Sequence, residues 1–180
     1  VDMTRVMAIA ERHQLKVVED CAQATGARRN GQAVGSFGDV GCFSFFPTKN
    51  LGAAGDGGAV TTSDAALAQA MRELAVHGMP ERYLHTSLGY NSRLDAIQAA
   101  VLNVKLPKLE AWISKRTAIA ERYRDALADL NGLTLPTADD GHSWNQFVVR
   151  IGSCPNGQQL CNASCNPSST SARHGIPESC

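Results

Sequence analysis

Short apolar runs alternate with amphipathic segments that carry helix caps, and no other feature of the sequence narrows the fold so far. Asp2 stands at a cap position ahead of Met3, Val6, Met7 and Ala10, which repeat at helical spacing. That helix is expected to end near His13, and residues 16–19, with two consecutive valines, then read as a short strand. Asn30-Gly31 is a turn signal, and residues 40–46 and 58–62 read as a second and a third strand. Asp64 caps a further helix over residues 64–76, with Leu67, Ala70, Met71 and Leu74 on one face and Gly78-Met79-Pro80 after it. Strands and amphipathic helices in this order imply an α/β layered fold.

The pattern then changes. Residues 94–130 are helical almost throughout, with a break expected at Pro107 and an end at Asn131-Gly132. Strands are expected at 133–135 and 144–151. A helical connector of this length links a large domain to a smaller one, so we divide the chain into 1–106 and 107–151. Residues 152–180 hold six serines, four cysteines, three prolines and three asparagines, with Leu160 and Ile176 as their large aliphatics. Such a segment has no core face to bury, and irregular or disordered chain is expected there.

Composition excludes several functions. The chain has 180 residues, 43% hydrophobic and 19% charged, within the ordinary globular range. Its 17 basic and 17 acidic side chains cancel, without a basic stripe for nucleic acid. No apolar run approaches the roughly 20 residues that span a bilayer, and nothing after Val1 resembles a signal peptide. A soluble, cytoplasmic protein is expected. Cys21 and Cys42, scattered among strands and helices, suit a reducing compartment. Cys154, Cys161, Cys165 and Cys180 crowd the tail with His174, but without a C-x-x-C spacing, so no metal site is expected.

Three stretches carry groups fit for chemistry. Glu19-Asp20-Cys21-Ala22-Gln23 follows a strand directly, where α/β folds build ligand sites; a solvated turn acid or helix cap is the plainer reading. Phe43-Ser44-Phe45-Phe46-Pro47-Thr48-Lys49-Asn50 runs into the glycine-rich 51–58. A serine, a threonine and a lysine leaving a buried strand there suit phosphate binding or Schiff-base chemistry, or form an ordinary surface loop. The order of glycines and lysine is not that of a Walker loop. Gly89-Tyr90-Asn91-Ser92-Arg93-Leu94-Asp95 precedes a helix, and Ser92 or Asp95 capping that helix is the plainer reading of it.

In this order, the segments VVEDCAQATGA, GDVGCFSFFPTKNLGAAGDGGAV and LGYNSRLDAIQAAVL closely resemble the DegT/DnrJ/EryC1/StrS family of aminotransferases, which use pyridoxal 5'-phosphate and act on keto-sugars. HSWNQFVVR resembles the family's small-domain strand more weakly, and the resemblance spans roughly residues 1 to 151. It implies part of the large domain of a fold type I (aspartate aminotransferase-like) transferase, plus part of a small α+β domain.

The resemblance also implies roles. Lys49 matches the lysine that holds the cofactor as an internal aldimine and later moves the proton. Asp20 matches the carboxylate paired with the pyridine nitrogen, which keeps the ring an electron sink. Gln23 matches a residue near the ring's 3-oxygen, and Ser44 a hydroxyl on the cofactor phosphate. Asn91 matches an asparagine reaching that phosphate from a neighbouring subunit, which implies a homodimer with shared active sites. The small-molecule substrates implied are a keto-sugar, nucleotide-linked, and glutamate or glutamine as amino donor. Lysine at position 49, where a dehydratase branch has histidine, argues for amino transfer. A keto-cyclitol aminotransferase, and an inactive fragment or binding module, are the alternatives. The chain starts inside the family's large domain, so these residues alone are expected to be a poor enzyme and a marginal fold. Arg173-His174-Gly175-Ile176-Pro177 resembles the family again after the unlike stretch, as a translated frameshift after Ile151 would produce.

Overall fold

A computed structural model describes residues 1–137, 139–152 and 162–163. Helix α1 (Met3–Arg12) begins where expected, with the Asp2 carboxylate accepting from the Arg5 amide at 3.2 Å. Strand β1 comprises Val18–Asp20, two residues later than the expected start at residue 16. The shift has a local cause: Asp39 accepts from the Val17 amide, while the Val17 carbonyl accepts from the amides of Asp39 and Val40. Residues 16 and 17 are therefore held by a side-chain bracket, and the ladder starts at Val18.

Hairpin β2 (Arg28–Arg29) and β3 (Gln32–Ala33) turns on Asn30-Gly31, whose φ angles of 51° and 79° both lie in the left-handed region. Strand β4 (Val40–Ser44) pairs parallel with β1, Asp20 opposite Cys42, and antiparallel with β5 (Gly58–Thr61). The central sheet thus runs β1-β4-β5, and among the described residues each outer strand is paired on one side only. Helix α2 (Ala65–Leu74) is capped by Asp64, which accepts from Ala66 and Leu67.

Asp95 caps α3 (Ala96–Lys105), accepting from Ile97 at 2.8 Å, as the plainer reading of that stretch expects. Pro107 falls in a 3-10 turn, Leu106–Lys108, and α4 (Leu109–Leu127) continues beyond it. The break therefore narrows the helix to one tight turn and does not end it. Around this joint lies one apolar cluster, Leu51, Ala53, Leu102 and Leu109, with Phe45 and Ile113 packed against it. A second cluster joins Ala120 of α4 to Trp144 and Phe147.

The single strand expected at 144–151 is divided. Trp144 adopts φ 47°, outside extended backbone. Strand β7 (Phe147–Val148) pairs with β9 (Asn162–Ala163), while β8 (Arg150–Ile151) pairs with β6 (Leu133–Thr134). Asn162–Ala163 gives the tail two residues of strand. Its cysteines and His174 lie outside the described residues, as does most of the segment after Ile151 that a frameshift would span. Among the described residues no helix is long and apolar enough to cross a membrane, and no group of His, Cys, Asp and Glu is gathered for a metal.

Candidate active site

The β1–β4 ladder places the first candidate. Asp20 is the last residue of β1, and the pairing goes one step further through the Cys21 amide, which donates to the Cys42 carbonyl at 2.8 Å. The chain then turns through residues 21–27, Ala24 donating to Cys21 and Ala27 to Ala24. Within this turn the Asp20 Oδ1 accepts from the Ala22 amide at 3.0 Å, and among the described residues Oδ2 accepts no hydrogen bond. The exposed carboxylate thus has one oxygen fixed and one available.

Its neighbour Glu19 is 8% exposed and points into protein. Oε2 accepts from Gly35 at 2.8 Å, and Oε1 accepts from Phe37 at 2.7 Å and Gly38 at 2.8 Å. Three amides on one carboxylate wrap the 35–38 loop around the end of β1, which sets the height at which Asp20 emerges. Successive residues of a strand face opposite ways, so Glu19 inward and Asp20 outward follow from the pleat.

Lys49 arrives from the other side. Beyond β4, the Phe45 amide donates to Gly57 and the Ala53 amide donates back to Phe45, closing a loop over residues 45–57. Within it the Lys49 amide donates to Phe46 at 2.9 Å, making a tight turn. Leu51 and Ala53 anchor this turn in the first apolar cluster, and Lys105 of α3 donates to the Gly52 carbonyl. Among the described residues the half-buried Lys49 amine has no hydrogen bond or ion pair.

Asp20, Gln23 and Lys49 line one open cleft of about 820 Å³. Asp139, Asp140, Gly141, His142 and Ser143 form another of its walls. This wall is tied down at both ends: the Arg28 amide donates to Gly141 at 2.8 Å, and Arg29 approaches Asp139 at 3.5 Å. Asn50 donates to the Ser143 carbonyl at 2.8 Å, and Arg116 of α4 to the Trp144 carbonyl at 3.1 Å. The His142 ring stacks on Trp144 with centroids 4.1 Å apart, and its Nδ1 accepts from the Trp144 amide at 2.8 Å. Burial depresses the His142 pKa below its ordinary 6.5, against the opposing pull of Asp139. The bond at Nδ1 acts in the same direction, because an imidazolium has no acceptor. Burial also pushes the Cys21 thiol up to about 11, helped by the charges of Glu19 and Asp20, so Cys21 is no nucleophile at neutral pH.

The two remaining candidates lie elsewhere. Ser44 ends β4, where its hydroxyl accepts from the Phe46 amide at 3.3 Å. Asn91 is exposed, bridges to Val76, and lines a second cleft with Asp56, Gly57 and Thr61. The donor set of the first cleft suits the reactive end of a pyridoxal cofactor: a carboxylate with a free oxygen, an unpaired amine, and a carboxamide between them in sequence. The hydroxyl and amide expected at the phosphate end do not join that cleft within this chain. Glu19, Asn50, His142 and Ser143 fall inside stretches that the sequence singles out, but without a role of their own there, and residues 139–141 carried no signal. The signal for Glu19 was the GSFG loop, whose bare amides need an acceptor; the wall had none, since apart from bonds within residues 139–144 its contacts are remote.

An α/β sheet with a carboxylate and a lysine at one cleft fits the pyridoxal-phosphate transferase type, and comparison with known proteins decides the family. The chain belongs to the DegT/DnrJ/EryC1/StrS aminotransferase family, whose profile matches residues 1–165. It is 53% identical over 152 residues to the UDP-N-acetyl-3-dehydro-alpha-D-glucosamine 3-aminotransferase of Acidithiobacillus ferrooxidans, covering 83% of this chain and 41% of that protein. It is 52% identical over 156 residues to a dTDP-3-amino-3,4,6-trideoxy-alpha-D-glucose transaminase of Micromonospora megalomicea, covering 83% and 42%. The structure superposes on S. venezuelae DesV, solved in complex with a ketimine intermediate, with TM-score 0.81 and 45% identity over 84% of this chain and 41% of that one. The fold is thus the fold type I transferase fold, present in part. The chain spans about two fifths of the length of these relatives.

Proposed function

We propose that this chain is part of an enzyme that transfers an amino group from glutamate or glutamine to a nucleotide-linked keto-sugar in amino-sugar biosynthesis, with pyridoxal 5'-phosphate as cofactor. The convergence of Asp20, Gln23 and Lys49 on one cleft carries this reading. These residues come from two separate stretches, and the family resemblance assigns all three to the same cofactor. The names of the two curated relatives, both nucleotide-sugar aminotransferases, support the substrate class. When bound, the cofactor supplies an aldehyde for a primary amine and a ring that withdraws electrons.

The chain's own residues have the following tasks. Lys49 offers an unpaired amine on a turn fixed by Leu51 and Ala53, so it holds and returns a proton at Nζ without first leaving an ion pair. Asp20 keeps its free Oδ2 for a cationic ring nitrogen, a charge-assisted contact stronger than a neutral one. Gln23 serves the ring's 3-oxygen and Ser44 the phosphate. Asn91, exposed on another cleft, serves the phosphate of a neighbouring copy, so the working unit is a homodimer with shared sites. We further read residues 1–106 as belonging to the large domain and 107–151 to the linker helix and small domain, in a cytoplasmic protein. Borohydride reduction of the cofactor-loaded protein followed by peptide mapping tests the central assignment. The label is expected on the peptide containing Lys49, and a label on another lysine overturns it.

A further inference from the structure

Asn50 follows Lys49 in the chain and is 6% exposed. Its Nδ2 reaches across 93 positions to the Ser143 carbonyl at 2.8 Å, while its Oδ1 is buried and has no partner among the described residues. A carboxamide half satisfied in the interior costs stability compared with an apolar side chain of the same size, so packing does not explain it. What the amide does provide is a directed link. On one side of the link lies the Lys49 turn, pinned to α3 through Lys105 and the Gly52 carbonyl. On the other lies the 139–144 wall, pinned to the β2–β3 hairpin at Gly141 and to α4 at Trp144. Each side is anchored to its own part of the fold, and Asn50 joins them next to the lysine.

We propose that Asn50 is a positioning residue that locks the Lys49 turn to the 139–144 wall, so that the amine and the wall meet the substrate as one unit. The inference rests on the reading of Lys49 given above. A directed hydrogen bond fixes both distance and angle between two separately anchored segments, and proton transfer by Lys49 is sensitive to both. An apolar residue at position 50 would fill the space and leave the two free to slide.

The test compares Asn50→Leu, which keeps the branched outline and removes the donor, with Asn50→Ala, both as cofactor-loaded enzyme. Amide hydrogen exchange is expected to rise in residues 139–145 and 47–52 together. Turnover is expected to fall about ten- to a hundredfold, as for misplaced reacting groups, with KM changed less than about threefold. Faster exchange with unchanged kcat overturns the positioning role, and a fall in kcat with unchanged exchange overturns the link. Unchanged values of both in Asn50→Leu overturn the proposal entirely, even where Asn50→Ala fails to fold. Borohydride labelling of the parent enzyme at a lysine other than Lys49 is a separate result, which overturns the reading of Lys49 itself.

Discussion

The loop that carries Lys49 and the stretch that carries Asn91 are held differently. Around Lys49, buried side chains reinforce the backbone turns: Leu51 and Ala53 are each 4% exposed and Asn50 is 6% exposed. Around Asn91, the backbone does the holding. The Tyr90 amide donates to Leu74, the Ser92 amide to Ala75 and the His77 amide to Tyr90, while Leu88 is 95% exposed and Tyr90 72%. A backbone ladder fixes where a stretch runs without needing its side chains, which are left free to meet something else. A buried anchor instead commits the side chains to this chain's own core. The first arrangement suits a residue that serves another copy, and the second suits one that serves its own cleft.

The contrast yields four measurements, taken from the largest expected effect down. Leu51→Ala is expected to destabilise the protein by about 2–5 kcal/mol, the range for emptying a buried leucine site, measured by denaturant unfolding. A loss below about 1 kcal/mol would show that the Lys49 loop does not depend on its buried anchor. Gly89→Ala tests the other mode of holding. A Cβ there would stand 2.2 Å from the Gly78 amide nitrogen and 2.6 Å from the His77 carbonyl carbon. Backbone on both sides has little room to give, so a loss of about 1–3 kcal/mol is expected, with amide exchange rising across residues 77–92.

The third measurement is the pH dependence of the Lys49 side. His142 holds its proton less tightly in the folded chain than in the unfolded one, where the value is near 6.5. Above that pH the ring is neutral in both states and has no effect. As pH falls below it the unfolded chain binds more protons, and stability declines until the folded value is passed. His142→Gln should flatten this part of the stability curve, read from thermal unfolding between pH 7.5 and 5 at constant salt. The smallest effect is expected for Leu88→Ser, within about 0.5 kcal/mol, because an exposed side chain loses little. A larger loss in a concentration-dependent assembly assay than in unfolding of the isolated chain would show that a second copy covers Leu88.

Much of the fold was legible because its signals are local. Asp2, Asp64 and Asp95 cap the three helices they precede, and each carboxylate meets amides two or three residues on. Asn30-Gly31 turns its hairpin because the two left-handed φ angles are a property of that dipeptide. Asp20, Gln23 and Lys49 could be picked out only through the family resemblance, since a turn acid after a strand and a lysine in a glycine-rich loop have ordinary structural uses as well.

Other features could be settled only by the tertiary structure, because each depends on a partner far along the chain. The sequence shows two valines at 17 and 18, but Asp39 decides that the strand starts at the second. It shows a strand-like stretch at 144–151, but the left-handed Trp144 and two different strand partners divide it. That Asp20 and Lys49 share a cleft while Asn91 lines another follows from strand order and loop closure, which no local pattern encodes. By itself the sequence determined where the capped helices begin and where Asn30-Gly31 turns, since propensity, capping and turn geometry act within a few residues. The tertiary structure alone decided that Asn50 meets Ser143, because a hydrogen bond between positions so far apart exists only once both segments have been packed into place.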